Sequence, residues 1–265
     1  KMKKVGEGMD KVGKGLTAGV TAPITAAGAG LLKLANDFDN AADTIRIGTG
    51  ATGEALRGLV NDFDAVISKV PADMDKAAIA IADLNTRLGL TGEPLQKLAQ
   101  QYLELAHITG EDVKKSIEES SRTFQAWRIE SNKQSQALDH LFKVSQATGI
   151  GVNDLSKKVT DFAPALQELG YTFEESTALI GKFEQSGVNA EAVLAAMKRG
   201  LATFAKDGKT ASEGLVEMTK RIKDAKDETK AAQIAIEVFG TRAGPELAHQ
   251  IRAGKFDIDE FTKSI

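Results

Sequence analysis

The sequence predicts an all-α protein, a multi-helical array of short amphipathic helices joined by Gly-rich turns. Three observations carry this. Apolar residues recur at steps of three and four, helix-start chemistry precedes those stretches, and glycines follow them. No convincing pair of strands is present. The apolar pieces at 66–70 and 79–81 are embedded in helical periodicity.

The first element is ambiguous. Residues 15–32 form an 18-residue run without charge between Lys14 and Lys33. Leu16, Val20, Ile24 and Leu31 fit one helical stripe, yet the run also alternates as a strand does. The rest of the chain favours helix, with Gly15/Gly19 and Ala18/Ala22/Ala26/Gly30 as small-residue stripes; a flexible segment at a domain edge is the plainer reading. Four Gly, three Thr and a Pro make the run too polar and too short for a membrane span, which needs about 20 apolar residues. No apolar core of a signal peptide follows the Lys-rich start.

From about residue 31 onward helix follows helix. An internal echo comes first. Thr52-Gly-Glu-Ala-Leu56, Leu59 and Phe63 match Thr91-Gly-Glu-Pro-Leu95, Leu98 and Tyr102 at an offset of 39, and Asp73-Met74 and Asp112-Val113 continue the register. Two related helix-turn-helix units fit this, although two copies do not make a solenoid. Next, Leu138, Leu141, Phe142 and Ser145 mark a helix within 132–147, and Leu155, Val159, Phe162, Ala163, Leu166 and Leu169 another. Pro164 predicts a kink or break near Ala163. Thr172-Phe-Glu-Glu175 and Thr210-Ala-Ser-Glu213 are capping boxes, and Asn189 is the N-cap of a helix over 190–205 that carries Leu194, Met197, Leu201 and Phe204. Gly149, Gly170, Gly187, Gly208 and Gly240 are the stops. These signals divide the chain into an N-terminal small-residue segment with a first helix (1–50), a subdomain of two related units (51–150) and a second helical subdomain (151–265).

Composition narrows function. The 265 residues carry 34 basic and 37 acidic side chains, a net charge of −3, which argues against a dedicated nucleic-acid binder. There is no cysteine, so thiolate metal sites, disulfides and cysteine nucleophiles are excluded. His107, His140 and His249 lie far apart and in no ligand spacing; each reads as a packed or surface histidine. Gly8-x-x-x-x-Gly13-Lys14 imitates a phosphate-binding loop but has Gly15 where Ser or Thr should hold magnesium. Gly48-Thr-Gly50-Ala-Thr-Gly53 is a literal GxGxxG, but Arg46 interrupts the would-be strand and no β/α alternation follows; it reads as a helix–helix connection. The carboxylate pairs Glu118/Glu119, Glu174/Glu175 and Asp257/Asp259 sit where solvated faces or helix starts want them. Residues 198–230 mix nine basic with six acidic side chains, a solvated face, and Trp127 reads as a helix anchor, not a base-stacking platform. No catalytic residue, cofactor-binding residue or metal ligand is assigned, and no enzyme is expected.

The order of motifs carries a resemblance. The stretch from Val12 through Thr21-Ala-Pro-Ile24 to Gly28, then Ala35-Asn-Asp-Phe38, is similar to the opening of the core region of phage tail tape measure proteins. So are Ala147-Thr-Gly-Ile-Gly-Val-Asn-Asp-Leu155, Leu169-Gly-Tyr-Thr-Phe-Glu-Glu-Ser176, Gly187-Val188 and Val238-Phe-Gly-Thr-Arg-Ala-Gly-Pro-Glu-Leu247. The resemblance covers roughly 5–247 and is thinnest over 91–135. It implies a structural protein of the virion, lying in the tail-tube lumen and made in the host cytoplasm, which sets tube length and leaves during genome ejection. It also implies tail tube protein, tail assembly chaperones and tail tip or baseplate hub proteins as partners, and self-association as a homo-oligomer. Residues 15–32 are where a host-membrane contact would be sought, and no sequence-specific nucleic-acid binding is expected. A non-viral helical scaffold or adaptor, and a membrane-active helical toxin, are the competing readings.

Overall fold

A computed structural model describes residues 29–195, 198, 204 and 208–255. The described residues contain helices and no strand. The lysine-rich start, the loop-like Gly8–Lys14 pattern and most of the 15–32 run lie outside them, as do Asp257 and Asp259; Ala29–Leu32 form the first turn of α1.

The helices are α1 (Ala29–Thr49), α2 (Gly53–Ile67), α3 (Met74–Leu88), α4 (Gly92–Thr109), α5 (Val113–Ala126), α6 (Gln134–Thr148), α7 (Val152–Asp161), α8 (Ala163–Glu168), α9 (Phe173–Ser186), α10 (Ala211–Lys223) and α11 (Glu228–Arg252), with a 3-10 turn at Ser131–Lys133. Residues 190–195 are also helical. The start signals do their work. In both capping boxes the Thr hydroxyl accepts from the Glu amide, Glu175 N–H to Thr172 Oγ1 and Glu213 N–H to Thr210 Oγ1, each at 3.2 Å. Each Glu carboxylate accepts the Thr backbone N–H at 2.9 Å in return. Asn189 Oδ1 accepts the Ala192 amide at 2.9 Å. The proline break is real: α7 ends at Asp161, Phe162 has φ −92 and ψ −2, and α8 starts with Pro164 in its first turn. Gly149 and Gly187 close α6 and α9 in the left-handed region, and Gly240 (φ 74, ψ 171) interrupts α11.

Two compact units emerge, one ending at Ser121 and the other starting at Arg122. The division falls inside α5, whereas the sequence-level boundaries at 50/51 and 150/151 coincide with turns between helices. In the first unit α1 packs on α3, α2 on α4, and α3 on both α2 and α4. Its core holds Phe38, Ile45, Leu59, Phe63, Val66, Ile81, Leu84, Leu95, Leu98 and Tyr102, with Phe38 and Phe63 edge to face at 5.6 Å. In the second unit α6 packs on α7 and α9, α7 on α9, and α10 on α11.

The echo at offset 39 is a structural repeat that runs past two copies. The second helix of each hairpin starts after Asp73, Asp112, Gly151, Asn189 and Asp227, at intervals of 39, 39, 38 and 38 residues. Four of these five present a side-chain oxygen to the helix amides: Asp73 to Asp75 (2.9 Å), Asp112 to Lys115 (2.9 Å), Asn189 to Ala192 (2.9 Å) and Asp227 to Lys230 (2.8 Å). The first helix starts after Thr52, Thr91, Thr172 and Thr210 in four hairpins, and after the 3-10 turn in the third.

Candidate functional site

With a repeat register in hand, each side chain can be compared with its equivalents. One core position of the second helices is occupied by Ala77, Ser116, Leu155, Val193 and Ala231, none more than 2% exposed. One turn further on stand Ile81, Ser120, Val159 and Ala235, all 1% exposed or less. Burial is kept while identity drifts. The first helices repeat Leu59 with Leu98 and Phe63 with Tyr102, all buried. One carboxylate ties successive hairpins: buried Asp62 of α2 accepts the Gly92 amide at the start of α4 (2.8 Å) and the Gln96 side-chain amide (2.7 Å).

In the first unit a cleft of about 410 Å³ lies between the α2–α3 turn and the end of α4. Val70, Pro71, Leu103 and Ile108 give it an apolar floor, and Lys69, Lys76, Glu104 and His107 ring it with both signs of charge. Ile108 is 64% exposed there. Such a wall offers packing surface more than chemistry.

The residues weighed for chemistry are dispersed. His107 lines the cleft, His140 stacks near Phe173 with ring centroids 6.1 Å apart and its Nε2 3.2 Å from the Glu174 carbonyl, and exposed His249 lies in the last turn of α11. Burial holds the His140 pKa below the usual imidazole value, with the Glu174 carbonyl working against it. Among the described residues no group of three His, Asp or Glu could hold a metal ion. The GxGxxG segment is the α1–α2 connection. Gly48 is still helical, its missing Cβ leaves room for Ala82, and Thr86 donates to its carbonyl at 3.1 Å. The helix before it takes the place of the strand a dinucleotide site needs. Glu175 and Glu213 are cap residues; hydrogen bonds from Thr210 hold the Glu213 carboxyl below its ordinary pKa. Trp127 is half-buried, donates from Nε1 to the Val159 carbonyl (3.3 Å) and meets Phe173 edge to face at 6.0 Å, the anchor role its neighbours suggested. Among the described residues no helix is long and apolar enough to cross a membrane.

Sequence reasoning missed the hydroxyls. Helix α5 buries Ser116, Ser120, Ser121 and Thr123. The Tyr102 hydroxyl bonds to Ser120 Oγ, which donates to the Ser116 carbonyl. Thr123 Oγ1 donates to the Ser156 carbonyl at 3.0 Å and pairs with Thr160 Oγ1 at 2.9 Å. Burial raises the Tyr102 pKa well above that of a free phenol. The one sequence signal was the run of Ser and Thr at the spacing of Val113, Ile117 and Phe124.

The family model described as "Phage-related minor tail protein" matches residues 57–244, from the first turns of α2 into α11. This chain belongs to the phage-related minor tail protein family. A curated relative, the "Tape measure protein" of Pneumococcus phage Dp-1, is 24% identical over 222 residues, covering 84% of this chain and 19% of the relative. The chain therefore spans about a fifth of that relative's length. No solved structure matches. The resemblance drawn from the motif order is thus borne out, and a phage-unrelated scaffold or a toxin is displaced as the reading.

Proposed function

We propose that this chain is a stretch of a phage tail tape measure. Its work is structural: it lies in the lumen of the tail tube, contributes to the template on which tube protein polymerises, and leaves when the genome is ejected. The observation that carries the reading is the coincidence of two spans. The minor tail family match falls within the hairpin array, and a named tape measure aligns with 84% of the chain. The array is built to hold helices in register.

In this reading the partners are tail tube protein, assembly chaperones, tail tip or hub proteins and further copies of the same chain. The protein is made in the host cytoplasm and ends in the virion. Residues 15–32 are the segment to test for membrane contact.

A ruler made of helix gains about 1.5 Å per residue. In-frame deletions in the gene that encodes this chain should shorten tails in proportion to the residues removed, as measured by electron microscopy of assembled virions. Tails of unchanged length would sink the proposal.

A further inference from the structure

Helix α5 departs from its equivalents in several independent ways. At the two repeated core positions its siblings carry Ala, Leu, Val or Ile, and α5 carries Ser116 and Ser120. At a third position it has Ser121 where α3 has Ala82, and at a fourth Thr123 where α3 has Leu84, all buried. The Ser116 and Ser121 hydroxyls lie buried with no hydrogen-bond partner. Ser and Thr are also poorer helix formers than Ala and Leu. The helix ends badly too. Second helices turn out of the helix through Gly89, Gly170 and Gly208 at positive φ; α5 does so through Arg128 at φ 53, the only such non-Gly residue among those described.

We infer that α5 is a built-in opening point: a helix that unfolds locally before α3, its equivalent in the preceding hairpin. The physical cause is differential. Hairpin caps are kept at Asp112, so α5 forms, but its buried face gives up apolar contact and leaves hydroxyls without partners. Local stability then falls below that of α3, whose equivalent face is Ala77, Ile81, Ala82 and Leu84. The inference concerns the chain alone and does not depend on the ruler role.

Hydrogen exchange on the purified chain, read by mass spectrometry of peptides, tests it. Amides of α5 should exchange at least tenfold faster than those of α3. The double variant Ser116→Ala with Ser121→Ala should slow exchange in α5 by about tenfold and leave α3 unchanged. The reverse transplant, Ala77→Ser with Ala82→Ser, should speed exchange in α3 if that variant keeps its helical circular dichroism. Limited trypsin digestion should cut at Lys114, Lys115 or Arg122 before Lys76 or Arg87. Equal protection of α3 and α5 would overturn the inference. So would fast exchange in α5 that ignores the serine substitutions.

Discussion

The hairpins α2–α3 and α4–α5 are built on the same plan and stabilised differently. Both begin with Thr-Gly, both place an aromatic residue on the buried face of the first helix, and both start the second helix with an Asp whose carboxylate takes the exposed amides. Then they diverge. The first fills its second helix with Ala and Ile; the second fills it with Ser and Thr. The first keeps a carboxylate, Asp64, at the place where the second buries Leu103. Caps decide where helices begin and end, and core residues decide how firmly they are held. A repeat can preserve the first and vary the second.

The largest expected effect tests the shared plan. Phe63→Ala and Tyr102→Ala each empty a fully buried site and should cost about 3–5 kcal/mol in chemical denaturation. A large loss for one and none for the other would show that the two first helices are not equivalent. The next sharpens the difference at the hairpin ends. Arg128→Gly relieves a left-handed residue and should raise stability by about 1–2 kcal/mol, with no such gain possible at Gly89.

Asp64 comes third. Burial pushes its carboxyl up to about 6, and Oδ1 has no hydrogen-bond partner. Its folded pKa lies above the unfolded value of 3.8, so the protonated form favours folding. Its contribution is complete below about pH 4 and is lost as pH rises through about 6. Asp64→Leu, which installs the residue found at 103, should raise the melting temperature more at pH 7.5 than at pH 4. A pH-independent gain would mean that the carboxyl is not the cause. The smallest effects probe the caps. Asp73→Ala and Asp112→Ala should each cost about 1 kcal/mol, and Gly151→Asp, which supplies the missing cap of the third hairpin, should add a few tenths.

The legible parts of the sequence were those written in backbone chemistry. Thr172 and Thr210 with their glutamates, Asn189, Pro164 and the stop glycines announce their roles because few residue types satisfy exposed amides or a left-handed turn. The two-copy echo was visible because α2 and α4 share letters as well as form. The later copies were hidden. The third hairpin opens with a 3-10 turn instead of Thr-Gly and has Gly151 in place of a capping Asp, and its second helix is broken at Phe162. Core positions drift through Ala, Ser, Leu, Val and Ala, so only burial reveals them as equivalent. The buried hydroxyls of α5 went unread because serine on a helix looks solvated until a neighbour such as Tyr102 covers it. Two of the weighed patterns have a place in the fold: Gly48–Gly53 is the connection between α1 and α2, and Glu175 is a cap residue.

The interval between the starts of the second helices has a genetic side. Crossing-over between equivalent codons of two hairpins, 38 or 39 residues apart, removes or adds one whole hairpin and leaves the remaining caps in phase. A slip of any other size sets Asp62-like and Asp73-like groups against the wrong amides. One hairpin, 38 or 39 residues, is therefore the smallest change of length that keeps this plan of caps intact.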